Sequence, residues 1–332
     1  MTKLRLALFG AGRIGKIHAA TIDANPDCEL VSVVDIDESA AKEVANRYSS
    51  KVMTADEVFD DKNIEAVLIC SAANTHADLI EKAARANKVI FCEKPIDLSL
   101  KRVQACLKVV EENSASLSLG FNRRYDNNFM AIKTALDEGE IGKAELITIS
   151  SRDPGLPPMD YMKLSGGIFK DMMIHDFDMA VWLKGEMPVR LSAHASAIVE
   201  PSISEFGDFD TAVVSMEFAD ASLAVITNSR RASYGYDQRI EVHGEKGMLS
   251  MENVLENTVS ISNEYGTNKA KPLHFFLERY MQAYANELND FVSCFADGKK
   301  PKASGKDGEN ALILALAAEK SIKTGKIIDI KN

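Results

Sequence analysis

A carboxylate and an imidazole stand four residues apart near the middle of the chain, at Asp171 and His175. On a continuous helix this spacing places both side chains on one face, where they meet. A carboxylate beside an imidazole fixes the tautomer and favours the charged form, so the pair suits a general base that takes a proton from a hydroxyl group. Spacing alone leaves two other interpretations open, an ordinary surface pair and one half of a metal site.

A metal site would need additional ligands around this pair. Zinc takes four ligands drawn from His, Cys and carboxylate side chains. Asp176 and Asp178 are close in sequence, but neither lies on the predicted helix face of Asp171 and His175, and no further Cys or His is near them. We therefore predict no metal site.

A lysine lies just beyond a predicted buried strand at Val89–Cys92, within the tripeptide Glu93-Lys94-Pro95. The carboxyl ends of parallel strands line the crevice where doubly wound folds bind their ligands. A lysine held there can polarise a hydroxyl oxygen and stabilise the alkoxide that develops as the proton leaves. The alternative, a loop lysine in solvent, is not excluded by the motif itself.

A glycine motif, Gly10-Ala-Gly12-Arg-Ile-Gly15, follows the first predicted strand and opens the first predicted helix. Gly10 permits a tight turn, Gly12 lets the backbone approach a pyrophosphate, and Gly15 allows close helix–strand packing. The unpaired N–H groups and the dipole of a helix N-terminus favour an anion. The motif predicts a dinucleotide site.

An acidic residue completes this motif and indicates which dinucleotide is bound. Asp35 ends the second predicted strand, 20 residues after Gly15, where its carboxylate can accept hydrogen bonds from the adenosine ribose hydroxyls. The same charge repels a 2′-phosphate, and Ile36 and Asp37 provide no basic residue to offset it. The predicted cofactor is NAD rather than NADP.

The pattern of predicted strands and helices, which must position these residues, changes near residue 122. Before it, short apolar runs alternate with helical stretches, which predicts a doubly wound parallel sheet covered by helices. The predicted strands are Leu4–Gly10, Glu29–Asp35, Ala66–Ser71, Val89–Cys92 and Ser116–Gly120. The predicted helices are Ile14–Ala24, Glu38–Tyr48, His76–Ala86 and Ser99–Glu112.

After residue 122 the pattern predicts an α/β domain with a large, open, mostly antiparallel sheet. In Thr211–Phe218 apolar residues alternate with polar ones, which indicates a sheet with one face more buried than the other. The other predicted strands are Ala144–Ser151, Arg190–Ala197, Ser222–Ser229, Arg239–His243 and Met248–Met251. The predicted helices are Asn127–Glu138, Ser165–Leu183, Leu273–Phe295 and Asp307–Lys323. A sheet with an uncovered face favours homo-oligomerisation.

Composition excludes several classes of partner. The chain has 332 residues and a formal net charge of −10, which repels phosphate backbones and argues against nucleic acid. No apolar run reaches 18 residues, so no membrane span is expected. The five cysteines are scattered without a CxxC pair, which favours a reducing cytoplasm.

The order of these motifs resembles the Gfo/Idh/MocA oxidoreductases, and within that family it is most similar to bacterial inositol 2-dehydrogenases. The resemblance spans essentially the whole chain and includes Ser71–His76 and Gly120–Tyr125. It implies an NAD-binding Rossmann domain over residues 1–122. It further implies a substrate-binding domain over 123–332, which builds dimers or tetramers and whose terminal helices pack on the first domain.

The resemblance also assigns roles to individual residues. Lys94 contacts the reacting hydroxyl, and Asp171 with His175 handles its proton. The predicted substrate-binding residues are Lys94, Arg123, Asp153, Asp171, His175 and Tyr234, with Tyr236 as an alternative to Tyr234. The predicted cofactor-binding residues are Gly10, Ala11, Gly12, Arg13, Ile14, Gly15, Asp35, Ser71, Asn74, His76, Glu93 and Lys94.

The expected activity is the NAD-dependent oxidation of one secondary hydroxyl of a cyclic polyol, with myo-inositol giving its 2-keto product. Two alternatives remain open. One is the same chemistry on another inositol isomer or on an aldose. The other is a dinucleotide-binding regulator without turnover, since a fold can retain its cofactor site after losing catalysis.

Overall fold

The computed structural model describes residues 3–330, so residues 1–2 of the first predicted domain and residues 331–332 of the second lie outside the described range. Contacts within the chain divide it into two units. The first contains the chain up to Tyr125 together with Gln282–Leu312, and the second contains Asp126–Met281 and the chain from Ile313 onward.

The first unit contains a parallel sheet with helices between its strands. Its strands are β1 (Leu4–Phe9), β2 (Cys28–Val34), β3 (Lys51–Val52), β4 (Ala66–Ile69), β5 (Val89–Glu93) and β6 (Leu117–Gly120). Its helices before residue 125 are α1 (Arg13–Ala24), α2 (Glu38–Arg47), α3 (Ala55–Asp60), α4 (Ala73–Arg85) and α5 (Leu100–Glu112). The order β3-β2-β1-β4-β5-β6, with every pair parallel, is that of a Rossmann fold. The predicted fold class is confirmed.

The core of the first unit explains why these segments became strands. Leu6, Leu8 and Leu68 are fully buried because the sheet is covered on both faces. Leu288 and Phe291, from a helix near the end of the chain, belong to the same apolar cluster. The exposed pair Lys51–Val52 carries no hydrophobic period, which is why β3 and the short α3 were not predicted.

The second unit is built on a mixed sheet. Its strands are β7 (Ala144–Arg152), β8 (Arg190–Ser196), β9 (Thr211–Glu217), β10 (Leu223–Ser229), β11 (Asp237–Gly244), β12 (Gly247–Met251) and β15 (Ile328–Asp329), with a separate hairpin of β13 (Ser260–Asn263) and β14 (Gly266–Lys269). In the order β12-β11-β7-β10-β9-β8-β15 the pairing is antiparallel except between β7 and β10. The predicted mostly antiparallel sheet is therefore confirmed.

Two long predicted helices are interrupted. The remaining helices are α6 (Asn127–Asp137), α7 (Met159–Ser165), α8 (Gly167–Asp171), α9 (Ile174–Lys184), α10 (Phe276–Arg279), α11 (Met281–Asp297) and α12 (Gly305–Thr324). The prediction of one helix over Ser165–Leu183 was wrong, because Gly166 and Gly167 both adopt positive φ, at 88° and 79°. The predicted helix over Leu273–Phe295 likewise breaks at Tyr280.

Candidate active site

The glycine turn has the close contacts that its motif requires. Gly10 has φ 97°, and a Cβ there would lie 2.6 Å from backbone atoms of Cys70 and Ser71. A Cβ on Gly15 would lie 1.8 Å from the Gly10 carbonyl oxygen. A Cβ on Gly12 would meet nothing within 4 Å, so open space lies where a pyrophosphate would approach the start of α1. This arrangement fits a dinucleotide.

Asp35 connects this turn to the end of β2. Its Oδ2 accepts a hydrogen bond of 2.6 Å from the backbone N–H of Ala11, and its Oδ1 accepts one of 2.8 Å from the N–H of Asp37. A carboxylate offers about four acceptor positions, so capacity remains for ribose hydroxyls. Ile36, next to it, is fully exposed.

The segment after β4 is mostly helical rather than a loop. Asn74 and His76 lie in the first turn of α4, whose predicted start was His76. Ser71 Oγ lies 2.7 Å from Thr75 Oγ1, which holds the strand end against this turn. His76 is buried, with Nδ1 2.8 Å from the carbonyl oxygen of Pro95 and Nε2 2.9 Å from that of Ser71. Both ring nitrogens therefore face the protein backbone.

Lys94 follows the last residue of β5 and is half-buried. Glu93 pairs with Gly120 of β6 across the sheet, and its Oε1 lies 2.8 Å from Nε2 of the buried His18. Arg123 lies in a 3-10 turn directly after β6, with its side chain buried. The carboxyl ends of β5 and β6 thus bring Lys94 and Arg123 to one edge of the sheet, as predicted for a doubly wound fold.

A buried acid on α11 lies in the same part of the first unit. Glu287 is only 1% exposed, and neither of its carboxyl oxygens has a hydrogen-bond partner among residues 3–330. Burial, together with the charges of Glu93 and Asp290, raises the pKa of Glu287 well above its usual range. Loss of water around the carboxyl group and repulsion by Glu93 and Asp290 both favour its neutral form.

In the second unit, Asp171 ends α8 and is held by two other side chains. Tyr161 donates a hydrogen bond of 2.8 Å to Oδ1, and Arg230 Nη2 lies 3.5 Å from Oδ2. Arg230 is fully buried and follows the end of β10. The two contacts hold the Asp171 carboxylate in one orientation.

His175 lies in the first turn of α9, separated from Asp171 by the turn residues Met172 and Met173. The argument from i,i+4 spacing on a continuous helix was therefore wrong, because the helix ends at Asp171. The next residue, Asp176, is fully buried and accepts hydrogen bonds from Ser151 Oγ at 2.5 Å and Asn228 Nδ2 at 2.9 Å. These bonds attach the start of α9 to β7 and β10 and so orient the turn that carries His175.

The predicted substrate residue Tyr234 contacts a buried carboxylate, Asp237, at the start of β11. The hydroxyl of Tyr234 donates to Asp237 Oδ2 at 2.6 Å. Burial alone raises the pKa of Asp237, but bonds from Arg239, Tyr234, Asn253 and Arg152 outweigh it and hold the pKa well below its usual range.

Two other predicted residues lie at the ends of these strands. Asp153 follows β7, where its backbone N–H bonds to the Ser229 carbonyl oxygen at 2.9 Å. Tyr236 is buried and packs edge-to-face against Phe275 and Tyr280. This packing gives Tyr236 a structural role just before β11.

Sequence reasoning missed Tyr161 and Arg230 beside Asp171, and it assigned no role to His18 beside Glu93. A buried arginine or histidine carries no local signal, because its partner lies far along the chain. The Tyr161 position could have been found, since it follows the irregular proline-rich loop at 153–158 that leads to Asp171.

Neither a metal cluster nor a membrane-spanning helix occurs among the described residues. Residues 3–330 contain no group of three or more His, Cys, Asp or Glu side chains that could hold a metal ion. In the same range no helix combines the length and apolar character needed to cross a bilayer.

A Rossmann sheet, a glycine turn closed by Asp35 and a second unit built on a mixed sheet define a two-domain, NAD-binding oxidoreductase. Residues 4–121 match the model for the oxidoreductase family with an NAD-binding Rossmann fold, and residues 129–250 match the Gfo/Idh/MocA C-terminal domain. The chain belongs to the Gfo/Idh/MocA oxidoreductase family.

Relatives cover the chain from end to end. It is 50% identical to an inositol 2-dehydrogenase of Rhizobium meliloti over 98% of this chain and 99% of that protein. A solved myo-inositol dehydrogenase from Corynebacterium glutamicum superposes with a TM-score of 0.95 at 42% identity, covering 99% of each chain. A scyllo-inositol dehydrogenase from Lactobacillus casei, solved with NAD(H) and scyllo-inositol, superposes with a TM-score of 0.91 at 28% identity, covering 99% of each chain.

Proposed function

We propose that this protein oxidises one secondary hydroxyl of an inositol, with myo-inositol giving 2-keto-myo-inositol. The main support is the similarity, over nearly the full length of the chain, to proteins named as inositol dehydrogenases. The chain also contains the candidate catalytic residues Lys94, Asp171 and His175. NAD, when bound, accepts the hydride. Gly10, Gly12 and Gly15 would hold its pyrophosphate at the start of α1, and Asp35 its ribose.

We propose that Lys94, His175 and Asp171 carry out the proton transfer. Lys94 polarises the hydroxyl oxygen and stabilises the developing alkoxide. His175 takes the hydroxyl proton as the C–H bond breaks, the C=O bond forms and the hydride leaves. Asp171 supports the charged imidazole, and its own carboxylate is oriented by the contact with Arg230. Arg123, Asp153 and Tyr234 are proposed to contact the other hydroxyls of the ring.

A second substrate, scyllo-inositol, is favoured by the solved relative that binds it. The two isomers differ only in the configuration at one carbon, so residues that bind the remaining hydroxyls would serve both. An aldose with the same hydroxyl arrangement is a third candidate.

A substrate panel tests these proposals. Initial rates of NADH formation at 340 nm would be measured with myo-inositol, scyllo-inositol, other inositols and pyranoses, with NAD and NADP side by side. We expect the highest kcat/KM for myo-inositol with NAD. No NADH with any polyol, despite NAD binding, would favour a regulator instead.

We also propose that the protein assembles into homodimers or homotetramers through the open face of the second sheet, in a reducing cytoplasm. Leu223 pairs with Leu146, which pairs with His243, and His243 pairs with Met248, so three exposed apolar side chains form a row across neighbouring strands. Such a row favours burial against a second copy. Cys28, Cys70, Cys92, Cys106 and Cys294 are buried free thiols, which supports a reducing compartment.

A further inference from the structure

The residue before Lys94 is held by a histidine from the glycine-motif helix. His18 of α1 is 1% exposed, and its Nε2 lies 2.8 Å from Oε1 of Glu93. The imidazole ring is packed edge-to-face against Phe91 at 5.0 Å and Tyr284 at 5.5 Å between ring centroids. Because the ring is fixed on both sides, it fixes the carboxylate that it contacts.

Space for that carboxylate is reserved by the neighbouring strand. A Cβ on Gly120 would lie 2.9 Å from Glu93 Oε2 and 3.1 Å from Glu93 Cα. Glu93 can lie this close to β6 only because Gly120 has no side chain. The Glu93 side chain is therefore held by His18 and bounded by β6.

The residue after Lys94 is held by a second buried histidine. His76 of α4 is 2% exposed and contacts the Pro95 carbonyl oxygen through Nδ1 and the Ser71 carbonyl oxygen through Nε2. A carbonyl oxygen only accepts, so each contact is a hydrogen bond when the ring nitrogen that faces it carries a proton. His76 thereby links the chain after β5 to the chain after β4.

We propose that His18 and His76 are positioning residues, which together fix the backbone on either side of Lys94 and so place its ammonium group for the reaction. This inference rests on the proposed function, in which Lys94 polarises the reacting hydroxyl. Lysine has a flexible four-carbon side chain, so the location of its charge depends on a well-anchored backbone. A misplacement of about 1 Å at a reacting centre can cost about 10²-fold in rate.

The first experiment compares two substitutions of His18. His18→Leu removes the donor to Glu93 and should lower kcat by about 10²-fold, while the KM for the polyol and the Kd for NAD change little. His18→Gln keeps a donor at a similar reach and should restore part of kcat. The loss in kcat of the double variant H18L/E93Q, expressed as activation free energy, should be smaller than the sum of the losses in the two single variants. His18 and Glu93 act through the same contact, so removing both removes that contact only once.

The second experiment separates the two contacts of His76. His76→Asn keeps a donor near the Nδ1 position and can retain the contact to Pro95. His76→Gln keeps a donor near the Nε2 position and can retain the contact to Ser71. Since the Pro95 contact is the one adjacent to Lys94, kcat should fall further in His76→Gln than in His76→Asn.

Two controls remove buried hydrogen bonds elsewhere in the same unit. Thr21→Val, on the same helix as His18, removes a bond of 2.9 Å to the Ile17 carbonyl oxygen. Lys88→Met, at the other end of β5, removes bonds to the carbonyl oxygens of Asp61 and Ile64 at 2.6 and 2.8 Å. Both controls should lower the melting temperature while leaving kcat near the wild-type value.

A readout independent of turnover distinguishes failure of this inference from failure of the proposed function. Trace acetylation of Lys94, measured by peptide mass spectrometry relative to the exposed Lys82, reports the surroundings of the Lys94 amine. The relative rate should shift in His18→Leu and His76→Gln but not in the controls. If the protein oxidises no polyol, the proposed function fails, and this measurement still tests the positioning.

The inference is overturned if the histidine variants match the controls, with lower stability but unchanged kcat and unchanged Lys94 acetylation. It is also overturned if His76→Asn and His76→Gln lose the same activity. Circular dichroism and NAD binding establish for each variant that the unit is folded.

Discussion

At the scale of single residues, the proposed chemistry depends on side chains that neighbouring groups hold in place. Asp171 lies between the Tyr161 hydroxyl and the Arg230 guanidinium, and Asp35 accepts hydrogen bonds from two backbone N–H groups. Both carboxylates are thus oriented before any ligand binds. Preorganised charges of this kind cost little reorganisation during a reaction.

Replacing the proposed general base should remove most of the turnover. His175→Gln should lower kcat by about 10²–10⁴-fold while the Kd for NAD stays near wild type, because the imidazole moves a proton but holds no part of the dinucleotide. Stopped-flow measurement of NADH formation checks the rate. His194→Gln, at an exposed position of β8, is the control and should keep full activity. Retention of full activity by His175→Gln would refute the mechanism.

Cofactor preference should respond to two residues at the end of β2. Asp35→Asn with Ile36→Arg removes the charge that repels a 2′-phosphate and adds a guanidinium that can pair with it. A charge-assisted hydrogen bond is worth about 1.5–3 kcal/mol, so the ratio of kcat/KM for NADP to that for NAD should rise at least about tenfold. Glu29→Arg, at the opposite end of β2, makes the same change in net charge and should leave the ratio unchanged.

At the scale of helices and strands, breaks in the helices determine the positions of the candidate catalytic side chains. Gly166 and Gly167 end one helix and start another, so Asp171 falls at a helix end rather than in a helix interior. Asp208 Oδ1 accepts the Ile168 N–H at 2.8 Å and caps this new start. The broken helix allows Asp171 to lie beside both Tyr161 and Arg230.

A side chain at Gly167 should disturb this arrangement. Its φ is 79°, and a Cβ would lie 2.7 Å from Asp208 Oδ1, so Gly167→Ala combines backbone strain with a steric clash. We expect a loss of more than about 1 kcal/mol in unfolding free energy, measured by urea denaturation, and a lower kcat. Gly155→Ala, where a Cβ meets nothing within 4 Å, is the control and should change neither quantity.

At the scale of the whole molecule, stability should depend on the buried acid Glu287. Its pKa is raised above the ordinary value of 4.5 by burial and by the charges of Glu93 and Asp290. Above about pH 4.5 the unfolded chain releases this proton while the native state keeps it. The native state is therefore disfavoured by up to about 1.4 kcal/mol per pH unit until the native group also ionises.

Glu287→Gln should remove this penalty, since an amide does not ionise. Its gain in unfolding free energy over wild type should grow as the pH rises above about 4.5. Urea denaturation at several pH values measures it. Glu111→Gln, on the exposed side of α5, serves as control. A difference between Glu287→Gln and wild type that stays constant with pH would contradict the prediction.

Assembly is the other property of the whole molecule. Leu146→Asp with Leu223→Asp places charges in the exposed apolar row of the second sheet and should shift the mass measured by light scattering toward the monomer. Val52→Asp, at an exposed strand of the first sheet, should leave the mass unchanged. If the wild type is itself a monomer, the proposed oligomer is refuted.

Most of the fold could be predicted because burial leaves a local period in the sequence. Strands such as Ala66–Ile69 are covered on both faces and are therefore continuously apolar, while Thr211–Glu217 alternates. Elements without such a period were missed, since every residue of β13 and β14 is exposed. The prediction of a single helix over Ser165–Leu183 was wrong. Apolar residues continue along the whole segment, but the backbone leaves the helical conformation within it.

The sequence by itself determined the Rossmann class, the glycine turn and the acidic residue at Asp35, because each depends on residue types at short spacing. It also provided Lys94, Asp171 and His175 as candidates through their residue types and motifs, although the helix assumed between Asp171 and His175 was wrong. Only the tertiary structure decided that Arg230 lies against Asp171 and that His18 and His76 contact the residues flanking Lys94. It also decided that Glu287 is buried with no hydrogen-bond partner within residues 3–330. His18 and Glu93 are 75 residues apart in the chain. Such pairs form only when separate elements pack together, and no local pattern records which elements will do so.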